Sequence, residues 1–106
     1  MIISTTPDIA GKKISETLGI VRGNVIQARW VGRDILAGLK TIVGGEIKSY
    51  TDLLTKARDE ALKRMVADAK QMKADAIVNV RFATSDVMQG AAEVLAYGTA
   101  VKLSKK

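Results

Sequence analysis

Arg33 and Asp34 put a guanidinium and a carboxylate side by side, and Gly44 and Gly45 close the same segment with two residues able to bare their backbone amides. One chemistry for this set is anion recognition: Arg33 and the glycine N–H groups would hold the anion, with Asp34 as ligand or base. A scaffold reading competes with it. Asp34 suits the start of a helix, where the dipole favours an acid, and Arg33 then becomes its ion-pair or interface partner. Phosphate-binding glycines normally open the following helix and carry a Lys, Ser or Thr at a fixed offset, whereas here the anionic Glu46 comes next. Gly44 and Gly45 therefore read as a helix stop that needs positive φ. A second place for contacts is the polar side of a later strand, where Asn79 and Arg81 alternate with apolar residues. Arg33, Asp34, Asn79 and Arg81 are the candidate interface or ligand contacts.

The residue types that are missing narrow the chemistry. With Cys 0 and His 0, Ser-His-Asp triads, Cys-His dyads and ordinary zinc sites are excluded. Catalysis would have to use a carboxylate, a Lys, Tyr50 or Tyr97 alone, and nothing brings these together; no catalytic residue is assigned, no cofactor is expected, and the chain reads as a non-enzyme. The 11 carboxylates show no repeating ligand pattern, and the methionines are scattered, Met65 and Met72 at core spacing. A soft-metal site within one subunit is not expected. A ring of subunits could still gather one acid from each around its axis, with Asp34, Asp75, Asp86 and Glu93 as the residues to inspect.

The net charge of +6 favours an acidic partner, but the lysines sit at two ends. Lys102, Lys105 and Lys106 close the chain, while Lys12 and Lys13 read as part of an N-terminal turn, so no single basic stripe is legible. There is no aromatic stacking pair and no helix-turn-helix, so specific nucleic-acid binding is not expected. No apolar run approaches the roughly 20 residues of a membrane span, and the first residues lack a leader pattern. The expectation is a cytoplasmic protein without a membrane partner.

These residues need elements to position them. At 106 residues the chain makes one domain. Residues 2–4 read as a short strand ended by Thr5, Thr6, Pro7 and Asp8. From Ile14 to Trp30 the β-branched residues predict extended chain, with Gly19 and Gly23 as a hairpin turn or bulges. Ile35, Leu39, Ile42 and Val43 then recur at helical spacing and predict a short helix. Ser49 and Asp52 have the spacing of a capping box, with Thr51 as a rival cap, before a longer helix to about Lys73.

On that helix Leu54, Ala57, Ala61, Met65 and Ala69 form one stripe, widened by Leu53, Leu62, Val66 and Met72. Asp52–Lys56, Asp59–Lys63 and Glu60–Arg64 are acid-first pairs on the other side. Ala57 and Ala61 are small enough for another backbone to approach. Alternation over 76–84 predicts a strand with Ala76, Val78, Val80 and Phe82 on one face, and 85–90 read as a turn. A last strand spans about 92–103, with Glu93, Leu95, Tyr97, Thr99, Val101 and Leu103 in one register. Strands at both ends with helices between predict an α+β fold with a mainly antiparallel sheet packed by one short and one long helix.

Several stretches together resemble the YbjQ family: Ser4-Thr5-Thr6-Pro7 with Gly11 and Gly23, Arg33-Asp34, Ala37-Gly38, Ile42-Val43-Gly44-Gly45, Tyr50, Leu54, Ala57-Arg58, Ala61, Ala74-Asp75-Ala76 and Gly98-Thr99-Ala100-Val101. The likeness runs through 1–106 in order. It implies a bacterial, uncharacterised protein with a heavy-metal-binding label, a dodecin-like subunit shape and a homopentameric ring; it implies no reaction. Two departures stand out. Lys73 occupies a position where the family commonly has Gly, and Asn79-Val80-Arg81-Phe82 replaces a strand that often carries acids, which places a cation where an oxygen-ligand site would lie. The function expected is a pentameric scaffold or small-ligand-binding protein, with edge strands and small-residue helix faces as joining surfaces. The alternative is a metal-ion-binding protein whose oxygen-ligand site lies between subunits.

Overall fold

A computed structural model describes residues 1–28, 48–88 and 91–105. Its elements are β1 (Ile2–Ile3), β2 (Lys12–Ala28), α1 (Lys48–Gln71), β3 (Ala76–Met88) and β4 (Ala91–Lys105). The strands form one sheet in the order β1-β3-β4-β2. β2 and β3 flank β4 antiparallel, while β1 joins β3 in parallel, so the sheet is mixed. The expected α+β class stands. The expected short helix, with Arg33, Asp34, Gly44 and Gly45, lies outside the described residues.

β2 runs through both glycines that a hairpin reading would have used. Gly19 has φ +137° and sits at a register shift against β4, so it is a bulge. Gly23 is neither turn nor bulge. A Cβ there would run into the Ala61 carbonyl oxygen and the Met65 amide nitrogen, and would lie 2.7 Å from Arg64 Cβ. The missing side chain lets the backbone of α1 settle on β2, with Ala57 and Ala61 buried at the contact. Ala57 and Ala61 thus serve packing within the chain.

The predicted stripe on α1 is the core stripe. Ala57, Ala61, Met65 and Ala69 are buried against Val21, Val25, Ile77, Val80, Val94, Ala96 and Ala100, with Leu62 and Val66 at the margin. Met65 is the largest of the fully enclosed side chains, and burying it contributes about 2–3 kcal/mol. The described helix spans Lys48–Gln71, and the Ser49 side chain of the expected capping box lies outside the described residues. Of the three acid-first pairs, Glu60–Arg64 closes, at 3.3 Å.

At its other end α1 stops in a Schellman motif. Ala74 N–H donates to the Ala69 carbonyl and Lys73 N–H to that of Lys70, with Lys73 at φ 61°. The place where this chain departs from its family resemblance is therefore a left-handed position that glycine occupies without strain.

β3 does not alternate evenly. The register jumps from Val78–Thr99 to Arg81–Tyr97, and Asn79 adopts φ 53°. This bulge reverses which side chains face the helix. Ala76 and Val78 pack with Ile9, Ile14, Val101 and Leu103 on the outer side, whereas Ile77 and Val80 join the core under α1. Val78 and Val80 therefore lie on opposite faces, against the even-numbered face expected from alternation. Strand pairing also continues through Ser85 and Asp86 to Met88, where a turn was expected.

Two side chains of α1 reach the free margin of β2. The Arg22 N–H donates to Asp68 Oδ2 at 3.2 Å, and Arg64 Nη1 donates to the Asn24 carbonyl at 2.7 Å. Arg22 and Asn24 point these groups away from β4, so the helix satisfies an edge that would otherwise invite another strand.

Two substitutions should move stability in opposite directions. Gly23→Ala should cost about 3 kcal/mol by forcing the helix off β2, and Lys73→Gly should add about 1 kcal/mol by relieving the left-handed residue. Urea unfolding followed by circular dichroism reads both as shifts of the midpoint.

Candidate functional site

Among the described residues, the expected contacts Asn79 and Arg81 lie at the β3 bulge. They flank it, and the N-terminal segment after β1 is laid along it. Ser4 N–H donates to the Ile77 carbonyl, Val80 N–H to that of Ser4 at 2.9 Å, and Asn79 N–H to that of Thr6 at 3.0 Å. The segment holds its own shape through Thr6 N–H to Ser4 Oγ at 3.0 Å and Thr6 Oγ1–H to the Asp8 carbonyl at 2.6 Å, around Pro7. Lys12 N–H closes the next turn onto the Ile9 carbonyl, with Gly11 at φ +77°.

Arg81 fastens this segment to the sheet. Its Nη1 donates to the Thr5 and Val80 carbonyls, both at 2.9 Å. Opposite the bulge stands Gly98, where a Cβ would come within 2.8 Å of Ile77 Cγ2 and 3.0 Å of the Val78 carbonyl oxygen. The bulge, Gly98 and the Ser4–Pro7 segment are thus one structural unit. Arg81 also pairs in register with Tyr97, which pairs on its other side with Arg22, so two guanidinium residues flank a phenol across β3, β4 and β2. Among the described residues no carboxylate forms an ion pair with either arginine.

The acids proposed for a shared axis are dispersed. Asp75 lies just before β3, where its Oδ2 accepts the Leu103 N–H at 2.8 Å and its own N–H donates to the Val101 carbonyl. Glu93 accepts from Asn24 Nδ2 at 3.3 Å. Asp86 is at the far end of the β3–β4 pair, on the face opposite Glu93, because Glu93 is in register with Ser85. Among the described residues no three His, Cys, Asp or Glu side chains come together to hold a metal, and no polar or charged residue is buried. The expected contacts Arg33 and Asp34 lie outside the described residues.

Comparison with known proteins fits this architecture. A family model, YbjQ, described as "Putative heavy-metal-binding", matches residues 1–104. The chain belongs to the YbjQ family. A UPF0145 protein of Photobacterium profundum is 65% identical over 103 residues, covering 97% of this chain and 100% of that protein. A UPF0145 protein of Methanosarcina acetivorans is 58% identical over 106 residues, covering both chains fully. A crystal structure of a DUF74-family protein of unknown function from Pediococcus pentosaceus superposes with a TM-score of 0.65 at 21% identity, over 98% of each chain. This last likeness concerns the fold. The YbjQ relatives are uncharacterised proteins, and no biochemical activity comes with membership.

Sequence reasoning missed the role of the Ser4–Pro7 segment, although it quoted those residues as the start of the family pattern. The available signal was Asn79, a residue type tolerated at positive φ, standing in an otherwise β-branched run.

Arg81→Ala should release the segment without unfolding the core. The expected result is a loss of about 1 kcal/mol, with hydrogen exchange accelerated at the Asn79 and Val80 amides while Val94 and Ala100 stay protected; equal acceleration at all four would assign Arg81 a global role.

Proposed function

We propose that this protein is a cytoplasmic, homopentameric scaffold that binds a small ligand, without enzymatic activity. The observation that carries the reading is unspent apolar surface on an elongated subunit. The radius of gyration is 17.2 Å and the long dimension 55 Å, against about 13 Å for a compact chain of this length. A strand as long as β2 accounts for the extent, since 17 residues reach about 56 Å. Helix α1 shields one face of the sheet around β2 and β4; Ile20 and Ile26 stand on the opposite face of β2 at 74% and 61% exposure, and Phe82 stands on the helix-side face of β3 at 44%. Burial against further copies would remove these side chains from water.

The joining surface in this reading is the uncovered sheet rather than the middle of the β2 edge, whose polar groups at Arg22 and Asn24 already have partners on α1. No helix among the described residues is long and apolar enough to cross a membrane.

The alternative reading, an oxygen-ligand metal site between subunits, draws support from the family description and from the exposed carboxylate of Asp86. Native mass spectrometry decides both. A five-subunit mass at micromolar concentration is expected, and a monomer overturns the assembly. A panel of divalent metals separates the readings: a fixed count of ions per ring, lost in Asp86→Asn with Glu93→Gln, would establish the metal site in place of the small-ligand scaffold.

A further inference from the structure

The two lysine groups that stand far apart in sequence meet at one end of the sheet. Lys12 is in register with Lys105, Lys13 with Ser104 and Glu16 with Lys102. The last of these pairs is complementary, whereas Lys12–Lys105 sets two cations directly opposite each other, with Cβ atoms about 5 Å apart, an arrangement that destabilises a sheet. Both line a surface cleft of about 450 Å³ together with Ile2, Asp75, Leu103 and Ser104. Asp75, the acid of this cleft, spends Oδ2 on the Leu103 amide at 2.8 Å and makes no ion pair with either lysine. Among the described residues neither ammonium group of the cleft has an ion-pair partner, and the apolar Ile2 and Leu103 lie beside them.

We propose that this cleft is an anion-binding site for a small phosphate monoester. Asp75 offsets one of the two ammonium charges and leaves the lining net cationic; a phosphate group offers three acceptor oxygens to Lys12 and Lys105 together, where a carboxylate offers two. Ile2 and Leu103 receive the carbon part of the ester. Occupancy relieves the Lys12–Lys105 repulsion, so ligand binding and sheet stability are linked. This assignment rests on the small-ligand part of the proposed function and is independent of ring formation: a pentamer whose cleft ignores phosphate overturns the assignment and leaves the assembly intact.

The test uses the full chain with inorganic phosphate and glycerol phosphate as probes, against chloride at equal ionic strength. Saturable NMR shifts at the Lys12, Ser104 and Lys105 amides and a raised Tm are expected. Lys12→Gln and Lys105→Gln should each weaken binding about fivefold while melting no lower than the parent without phosphate, and Lys56→Gln on the helix should bind as the parent does. Equal binding by the Lys12→Gln, Lys105→Gln double variant, or shifts no larger than those with chloride, would overturn the site. Binding of a single-stranded oligonucleotide with no response to glycerol phosphate would overturn the monoester and reassign the cleft to a phosphodiester backbone.

Discussion

The close approach of α1 to β2 at Gly23 governs the rest of the subunit. A helix normally lies about 10 Å above a sheet because side chains on both surfaces must interdigitate. Here one surface offers no Cβ and the other offers Ala57 and Ala61, so backbone meets backbone. The helix is drawn onto the β2 side of the sheet, and two results follow from that offset. Arg64 and Asp68 come within reach of the β2 margin, and the β3 side is left with Phe82 half exposed. The same contact thus closes part of one edge and leaves apolar surface open elsewhere.

A second constraint works at the other end of the sheet. The left-handed turn of Asn79 shifts β3 by one residue, which gives each half of that strand a different inner face. Under constant alternation Val80 would share the outer face of Ala76 and Val78; the bulge instead brings it beside Ile77 beneath α1, while Val78 stays in the outer cluster with Ile9. Gly98 supplies the space across the ladder, and the Ser4–Thr6 backbone supplies partners for the amides that the bulge turns outward.

Much of this was legible in the sequence because it depends on local periodicity. The α1 stripe and the alternation of β4 repeat over many residues, so their pattern survives any single exception. The features that escaped are those in which one residue overrules the period. Asn79 flips a face, Gly23 is a contact rather than a turn, and Lys73 holds a position that favours glycine. Charge was misplaced for another reason. Lys12 and Lys105 read as belonging to separate ends because pairing of the first long strand with the last is invisible to any local window. Asn79 and Arg81 read as contact residues on the polar side of a strand, and their backbone partners at Thr5 and Thr6 could be found only from the path of the chain.

The pairing of β2 with β4 also sets an order of events during folding. β3 and β4 are neighbours in the chain and can zip early, because closing a short loop costs little entropy. β2 must wait for a strand made from the last residues, so this sheet carries a high contact order. On the ribosome, β2 emerges before α1 and β3 and stays without β4 until both have been made. Helix α1 emerges in between, and Arg64 and Asp68 can already occupy the Asn24 and Arg22 backbone groups on one margin. The same two side chains that close the native edge can thereby act as a temporary cover, reducing the time that a long β-branched segment spends open to pairing with another nascent chain.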